Sequence, residues 1–418
     1  MKKIQFKIFS IYLFLISISC SNPGNNTKNI LFDGEFVDSE VKQIPVTGDI
    51  DIIYPDKFIG SKFFLSDIIA DFQYLPLKLN DDFFISDIDK IIFNDLYIFI
   101  LDRYAGKNLV AFDRKSGDQL FALFPQGQGP GEYAELYDFD VDFKNDKIFI
   151  HDGSQAKMLT YDIHGIFIEE KRMPFRIGNF RMLDEGGIIN YTQHTSNDHL
   201  GQEISYHHLI ITNNNNLIDR VAIPYGALEQ KNNYYNRDYL KTDGNFIYVF
   251  PRFGSTIYRF DEKEEELQSV LSFQFGSKFM SSQDLKLDGE DFIESVKKQK
   301  KYFSNGDFFI TQSGVQGAMF ETFGSKPLHV FTHPERVDIL GGTEIVYDVK
   351  GLPLFGFPFS VYKNEGIVPV SALHLQSFLD PNIRGDLKKR GMYHEKIDQM
   401  LSKINDSEDL VLLIMEFK

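Results

Sequence analysis

A strand-and-turn signature recurs about every fifty residues, and nothing else in the chain limits its fold so tightly. Phe112-Asp113, Tyr161-Asp162, Ile211-Thr212 and Phe260-Asp261 each close an apolar strand and enter a turn, at successive spacings of 49, 50 and 49 residues. A second landmark precedes each of them: Ile98–Asp102, Ile148–Asp152, Ile188–Thr192 and Ile247–Pro251. Each unit has room for four short strands, as in Phe139–Phe143, Lys147–His151, Met158–Tyr161 and Phe167–Lys171. Four-stranded units of this length define a β-propeller, in which neighbouring blades bury each other's faces. A parallel α/β fold needs helical periodicity between strands, and none occurs before residue 283.

The later units are stretched. Asp284–Phe303 places Phe292, Val296 and Phe303 at helical spacing among charges and predicts a helical insertion; Arg384–Ile404 predicts a second. Blade five resumes with Phe308–Thr311 and Leu328–His333, and blade six with Pro358–Tyr362 and Ile367–Leu373. The apolar run Leu410–Phe417 supplies the third strand of blade six, and Phe72–Leu79, which has no other partner, the fourth. Pairing the two chain ends closes the ring and removes its exposed edges. The expectation is an all-β, six-bladed propeller over residues 67–418, with five or seven blades following if a stretched segment is misassigned.

The amino terminus predicts export. Lys2, Lys3 and Lys7 flank an apolar run, Ile8–Ile18, that is too short to span a bilayer and ends at Ser19-Cys20. Cys20 is the only cysteine, so the body has no disulfide or thiol chemistry. Residues 1–20 read as a lipoprotein signal with Cys20 as the lipidated residue, although Ser17 stands where such signals carry an aliphatic side chain. Residues 21–66 read as a tether and lead-in, Ser21–Asn29 being Asn-, Pro- and Gly-rich. The expected partner of the amino terminus is thus a lipid bilayer, that of the outer membrane, on its periplasmic side or at the surface. A net charge of -16 argues against binding nucleic-acid phosphates.

The string Phe124–Tyr133, FPQGQGPGEY, directly follows FDRKSGDQLFAL and resembles the six-bladed β-propeller lipoproteins of the Bacteroidetes, relatives of the NHL-repeat propellers. The matching positions are Phe112, Asp113, Gly117, Gly127, Gly129, Pro130, Gly131, Glu132 and Tyr133. The resemblance runs from about Asp67 to Lys418 and implies an envelope-anchored propeller of undefined molecular activity. Blade three departs from the pattern, with Thr212 where Asp recurs.

Alternating strands bring Gln126, Gln128, Glu132 and Tyr133 to the face that also carries Arg103, Asp152, His194, His199 and Arg252. Gln126, Gln128, Glu132, Tyr133, Arg103 and Arg252 are therefore candidate ligand contacts for a protein or glycan at the channel mouth. A phosphate cradle is disfavoured, because Pro130 interrupts the glycines and a strand follows instead of a helix; glycines at a crowded blade-to-blade corner are the plainer account. Asp138 and Asp140 lie on one side of a strand about 7 Å apart and cannot share one ion unaided. They read as a solvated or channel-facing stripe, with calcium as the alternative; His194 and His199 are the corresponding alternative zinc ligands. No cofactor is otherwise called for, and no catalytic residue is assigned. The first reading is a non-enzymatic binding module, the second a metal-dependent hydrolase or lyase acting on a carbohydrate, lactone or peptide-derived substrate.

Overall fold

The computed structural model describes residues 36–418 apart from 81–82, 194, 196, 227–237, 282, 288, 333–338 and 405–409. Six four-stranded antiparallel blades follow one another around an axis. Blade one comprises Lys90–Phe93, Tyr97–Asp102, Asn108–Asp113 and Gln119–Leu123, from the axis outward. Blade two comprises Leu136–Asp142, Lys147–Asp152, Lys157–Asp162 and Phe167–Arg172. Blade three comprises Asn179–Met182, Ile188–Tyr191, His207–Thr212 and Ile218–Pro224. Blade four comprises Leu240–Thr242, Ile247–Val249, Thr256–Asp261 and Glu266–Phe273. Blade five comprises Phe303–Thr311, Gly314–Glu321, Leu328–Phe331 and Leu340–Gly342. Blade six takes Ser360–Tyr362, Glu365–Ser371 and Leu410–Phe417 from the carboxyl-terminal part, and Ile69–Pro76 from the amino-terminal part.

The expected ring closure is present, with Val411 opposite Pro76 and Phe417 opposite Ile69. The fourth strand sits three residues earlier than expected. Beyond Pro76 the chain already leaves for blade one, where the Lys78 N–H donates to Gly117 O. Six apolar cores fill the six gaps between blades. Phe99, Phe139 and Leu159 pack between blades one and two, and Ile367, Leu412 and Val110 between six and one. Each core needs both of its walls, which makes the ring one cooperative unit.

The repeated Asp has a local cause. Asp113 Oδ1 accepts from the Lys115 and Ser116 N–H groups, Asp162 Oδ1 from His164 and Ile166, and Asp261 Oδ1 from Lys263 and Glu264. Each therefore closes the turn between third and fourth strands by an Asx bond. Blade three keeps the device one residue later, with Asn213 Oδ1 accepting from Asn215 and Leu217.

The helical insertions are shorter than expected. The first is Gly289–Gln299, whose Phe292 and Val296 are buried, because Phe303 already belongs to blade five. The second breaks into Pro381–Lys389 and Glu395–Leu401, with Gly391 at φ 71 between them. In blade six, strand Glu365–Ser371 gives way to a helical turn at Ala372. His333 and Cys20 lie outside the described residues.

The lead-in forms a strap whose strands run parallel to outer strands. Val37–Gln43 pairs with blade three, Val46–Thr47 and Asp51–Ile53 with blade four, and Lys62–Phe64 with Glu344–Val346 just after blade five. Nothing in the residue pattern signals this pairing, because short parallel edge strands carry no period of their own.

Candidate functional site

Strand alternation places every connection from second to third strand, and every connection between blades, on one face. The long connections all emerge there, including 192–206, 274–302, 343–359 and 372–409, whereas the opposite face carries mostly tight turns. The long-loop face holds all six candidate contacts, and their environments differ sharply.

The glycine-rich corner is a strut. Tyr133 is buried, and its hydroxyl donates to Leu123 O at 2.8 Å and reaches Lys107 O at 3.1 Å, tying the corner to the 103–107 loop. Glu132 accepts from the Gly129 N–H at 2.9 Å, and Tyr161 of blade two donates to Gly131 O at 2.8 Å. Gly131 has φ 74, and a Cβ there would stand 2.8 Å from the Phe167 ring; at Gly127 it would lie 1.9 Å from the Glu132 carboxylate. Larger residues do not fit the seam. Gln126 and Gln128 project their side chains outward, exposed, from the same corner.

Arg103 extends this region. Its guanidinium carbon lies 3.3 Å from the centroid of Tyr137 and 4.8 Å from that of Tyr104, and Nη2 is 3.3 Å from the exposed Glu135. Such stacking fixes a planar cation in place. Phe84, Tyr104 and Phe124 are 58%, 63% and 46% exposed. Their three segments meet at one loop: Asn108 donates to Phe84 O, Asp102 accepts from the Ser86 N–H, and Tyr133 joins Leu123 to Lys107. Arg252 belongs instead to blade four, opposite blade one. It is buried, stacked 4.3 Å over Phe253, and its N–H donates to the Tyr191 hydroxyl. Tyr191 in turn stacks on Tyr239 at 4.4 Å and on His208 at 5.4 Å. His199 donates to Pro174 O at 3.2 Å, and His194 lies outside the described residues.

Below the mouth the axis is filled by charge. Lys90 Nζ lies 3.0 Å from Asp138, donates to Phe139 O at 2.7 Å, and comes within 3.9 Å of Asp238 on the opposite side of the ring. Arg181 bridges Asp140 at 3.0 Å and Asp238 at 3.1 Å, while Lys241 lies 3.3 Å from Asp238 and donates to Phe359 O at 3.1 Å. Three cations and three carboxylates from blades one to four thus meet at the axis, all of them well buried. Burial alone would raise the Asp238 carboxyl, but Lys241, Arg181 and Lys90 outweigh it and hold it well below the usual carboxylate range.

Asp138 and Asp140 have a second task. Their other oxygens accept from the Phe180 and Met182 N–H groups at 2.9 and 2.8 Å. Alternate carboxylates on one inner strand thereby satisfy alternate donors on the next, where no strand partner exists. The stripe faces the axis, as one of the two expected settings had it, and is buried there beside Lys90 and Arg181. Among the described residues no group of three or more His, Cys, Asp or Glu side chains converges as metal ligands. Sequence reading missed Lys90, Arg181, Asp238 and Lys241. Their only signal is a charge at or beside an otherwise apolar first strand of a unit, as in KIIF and NFRM.

Fold and axis together define a six-bladed β-propeller. The chain belongs to the family described as Domain of unknown function (DUF4934), whose model matches residues 52–416. Among solved structures it is similar to a Bacteroides fragilis protein described as exported, with a TM-score of 0.65 and 19% identity over 86% of this chain and 99% of that one. A Bacteroides vulgatus member of the duf4221 family aligns with a TM-score of 0.44 and 8% identity over 84% of this chain and 97% of that one. No curated protein matches the sequence.

Proposed function

We propose that this propeller is an exported binding module, anchored in the envelope through a lipidated Cys20, that takes a glycan or protein ligand on its long-loop face. The observation that carries the reading is the convergence of Phe84, Tyr104 and Phe124 with the stacked Arg103 on that face, directly beside the exposed Gln126 and Gln128. Exposed rings offer large rigid contact area at low entropic cost, and the charges and amides around them supply directional bonds. The axial ion network favours the mouth over a through-channel as the position of a ligand. Export is supported by the signal segment and by the description of the Bacteroides fragilis neighbour. Among the described residues no helix is long and apolar enough to cross a membrane.

The test is binding of residues 21–418 to a glycan array and to envelope protein fractions, compared with a Phe84→Ser, Tyr104→Ser, Phe124→Ser triple variant. Saturable binding that the variant loses while keeping its melting temperature supports the reading. Equal binding by both proteins overturns it.

A further inference from the structure

The seam where the chain ends pair carries a cleft away from the long-loop face. Its volume is 460 Å³, within the range of small-molecule sites, and it lies between blade six and the helix Glu395–Leu401. One wall is built on registered strands: Glu365 stands opposite Glu416, and Glu416 opposite Asp71. Three carboxylates in one row across adjacent strands repel one another. Two of them are compensated, Glu365 by Arg114 of blade one at 2.9 Å and Asp71 by Lys396 of the helix. Glu416, in the middle, has no cation among the described residues.

The facing wall presents the reverse vacancy. Lys403 lines the same cleft and has no carboxylate partner among the described residues, while Ile414 and Met400 contribute buried apolar surface. Among the described residues the cleft therefore offers one carboxylate and one ammonium that lack an opposite charge. We infer that it binds a small zwitterion of the amino-acid or dipeptide class, the ammonium at Glu416 and the carboxylate at Lys403. A cation at Glu416 completes the row of alternating compensation that the strands leave open. A ligand bridging helix and strands also fastens the closure seam, so it raises the melting temperature with its concentration.

The experiment is calorimetric titration and thermal shift of residues 21–418 with glycyl-leucine, N-acetyl-glycyl-leucine, the doubly capped N-acetyl-glycyl-leucine amide and maltose. Saturable one-to-one binding of glycyl-leucine is expected, weakened about tenfold or more by Glu416→Gln or by Lys403→Gln. Both side chains are exposed, and removing Glu416 relieves repulsion, so the variants fold. Acetylating only the dipeptide's amine should cost as much as Glu416→Gln and nothing further in that variant, which separates direct contact from a general structural effect. Three results overturn the inference: no saturation by glycyl-leucine at about 10 mM, equal affinity for the capped dipeptide or maltose, or binding that survives both substitutions.

Discussion

Replacing Arg181 by Met tests whether the axial network supports the ring. The guanidinium is bonded to Asp140, Asp238 and Leu240 O at 3.0, 3.1 and 2.8 Å. Among the described residues, its loss leaves Asp140 with one backbone N–H and no cation, and Asp238 with Lys241 and the more distant Lys90. Breaking a buried pair from one side costs about 3–5 kcal/mol, and the stranded Leu240 carbonyl adds about 1 kcal/mol. With methionine filling part of the volume, the expected net loss is about 4 kcal/mol, or about 5 °C in melting temperature for a chain of this length. Asp140→Asn in the same background removes the stranded charge while its amide oxygen still accepts from Met182, and is expected to recover about 2 kcal/mol. Urea unfolding followed by fluorescence and circular dichroism measures both. The single variant should also regain stability as pH falls, because an unpaired buried carboxylate gains by protonation, and the double variant should not. A loss below about 1 kcal/mol, or a double variant no better than the single, would refute a supporting role for the network.

Other expectations follow from the same geometry. Deleting Leu410–Lys418 removes a central strand of blade six and both cores that it walls, so the truncated protein should show no cooperative transition; an unchanged melting curve contradicts the ring closure. Tyr133→Phe removes a hydroxyl bonded to two carbonyls and should cost about 1–2 kcal/mol by chemical unfolding. Burial, reinforced by Asp307, pushes the Glu321 carboxyl up to about 8. A carboxyl raised above its unfolded value gives stability that is full below pH 4–5 and is lost as pH rises toward 8. Glu321→Gln should flatten unfolding midpoints across that window, and an unaltered pH profile would contradict the assignment.

Much of the fold was legible because it repeats. An Asp that closes a turn acts through its own backbone neighbours, so its recurrence shows in the chain order, and even blade three keeps the device at Asn213. Apolar runs of strand length marked Leu410–Phe417 and the second strands that begin near Ile98, Ile148, Ile188 and Ile247 for the same reason: burial of a whole strand leaves a continuous pattern. The glycines of the corner were readable as a steric necessity, since only a residue without Cβ fits against Phe167 at Gly131. The strap from Val37 to Phe64 was not readable, because its strands are short and their partners lie 178 residues away or more, at blade three and farther on.

The candidate site divides along the same line. Local sequence determined that this chain makes blades, that its turns are closed by Asx bonds, and that its ends meet, since each depends on neighbouring residues or on strand-length hydrophobicity. Only the tertiary structure decided that Tyr133 is a strut while Tyr104 is exposed, and that Lys90 meets Asp238 across the axis. Those outcomes rest on which blades face one another around the ring, and a charge on a strand does not reveal the charge that will stand opposite it.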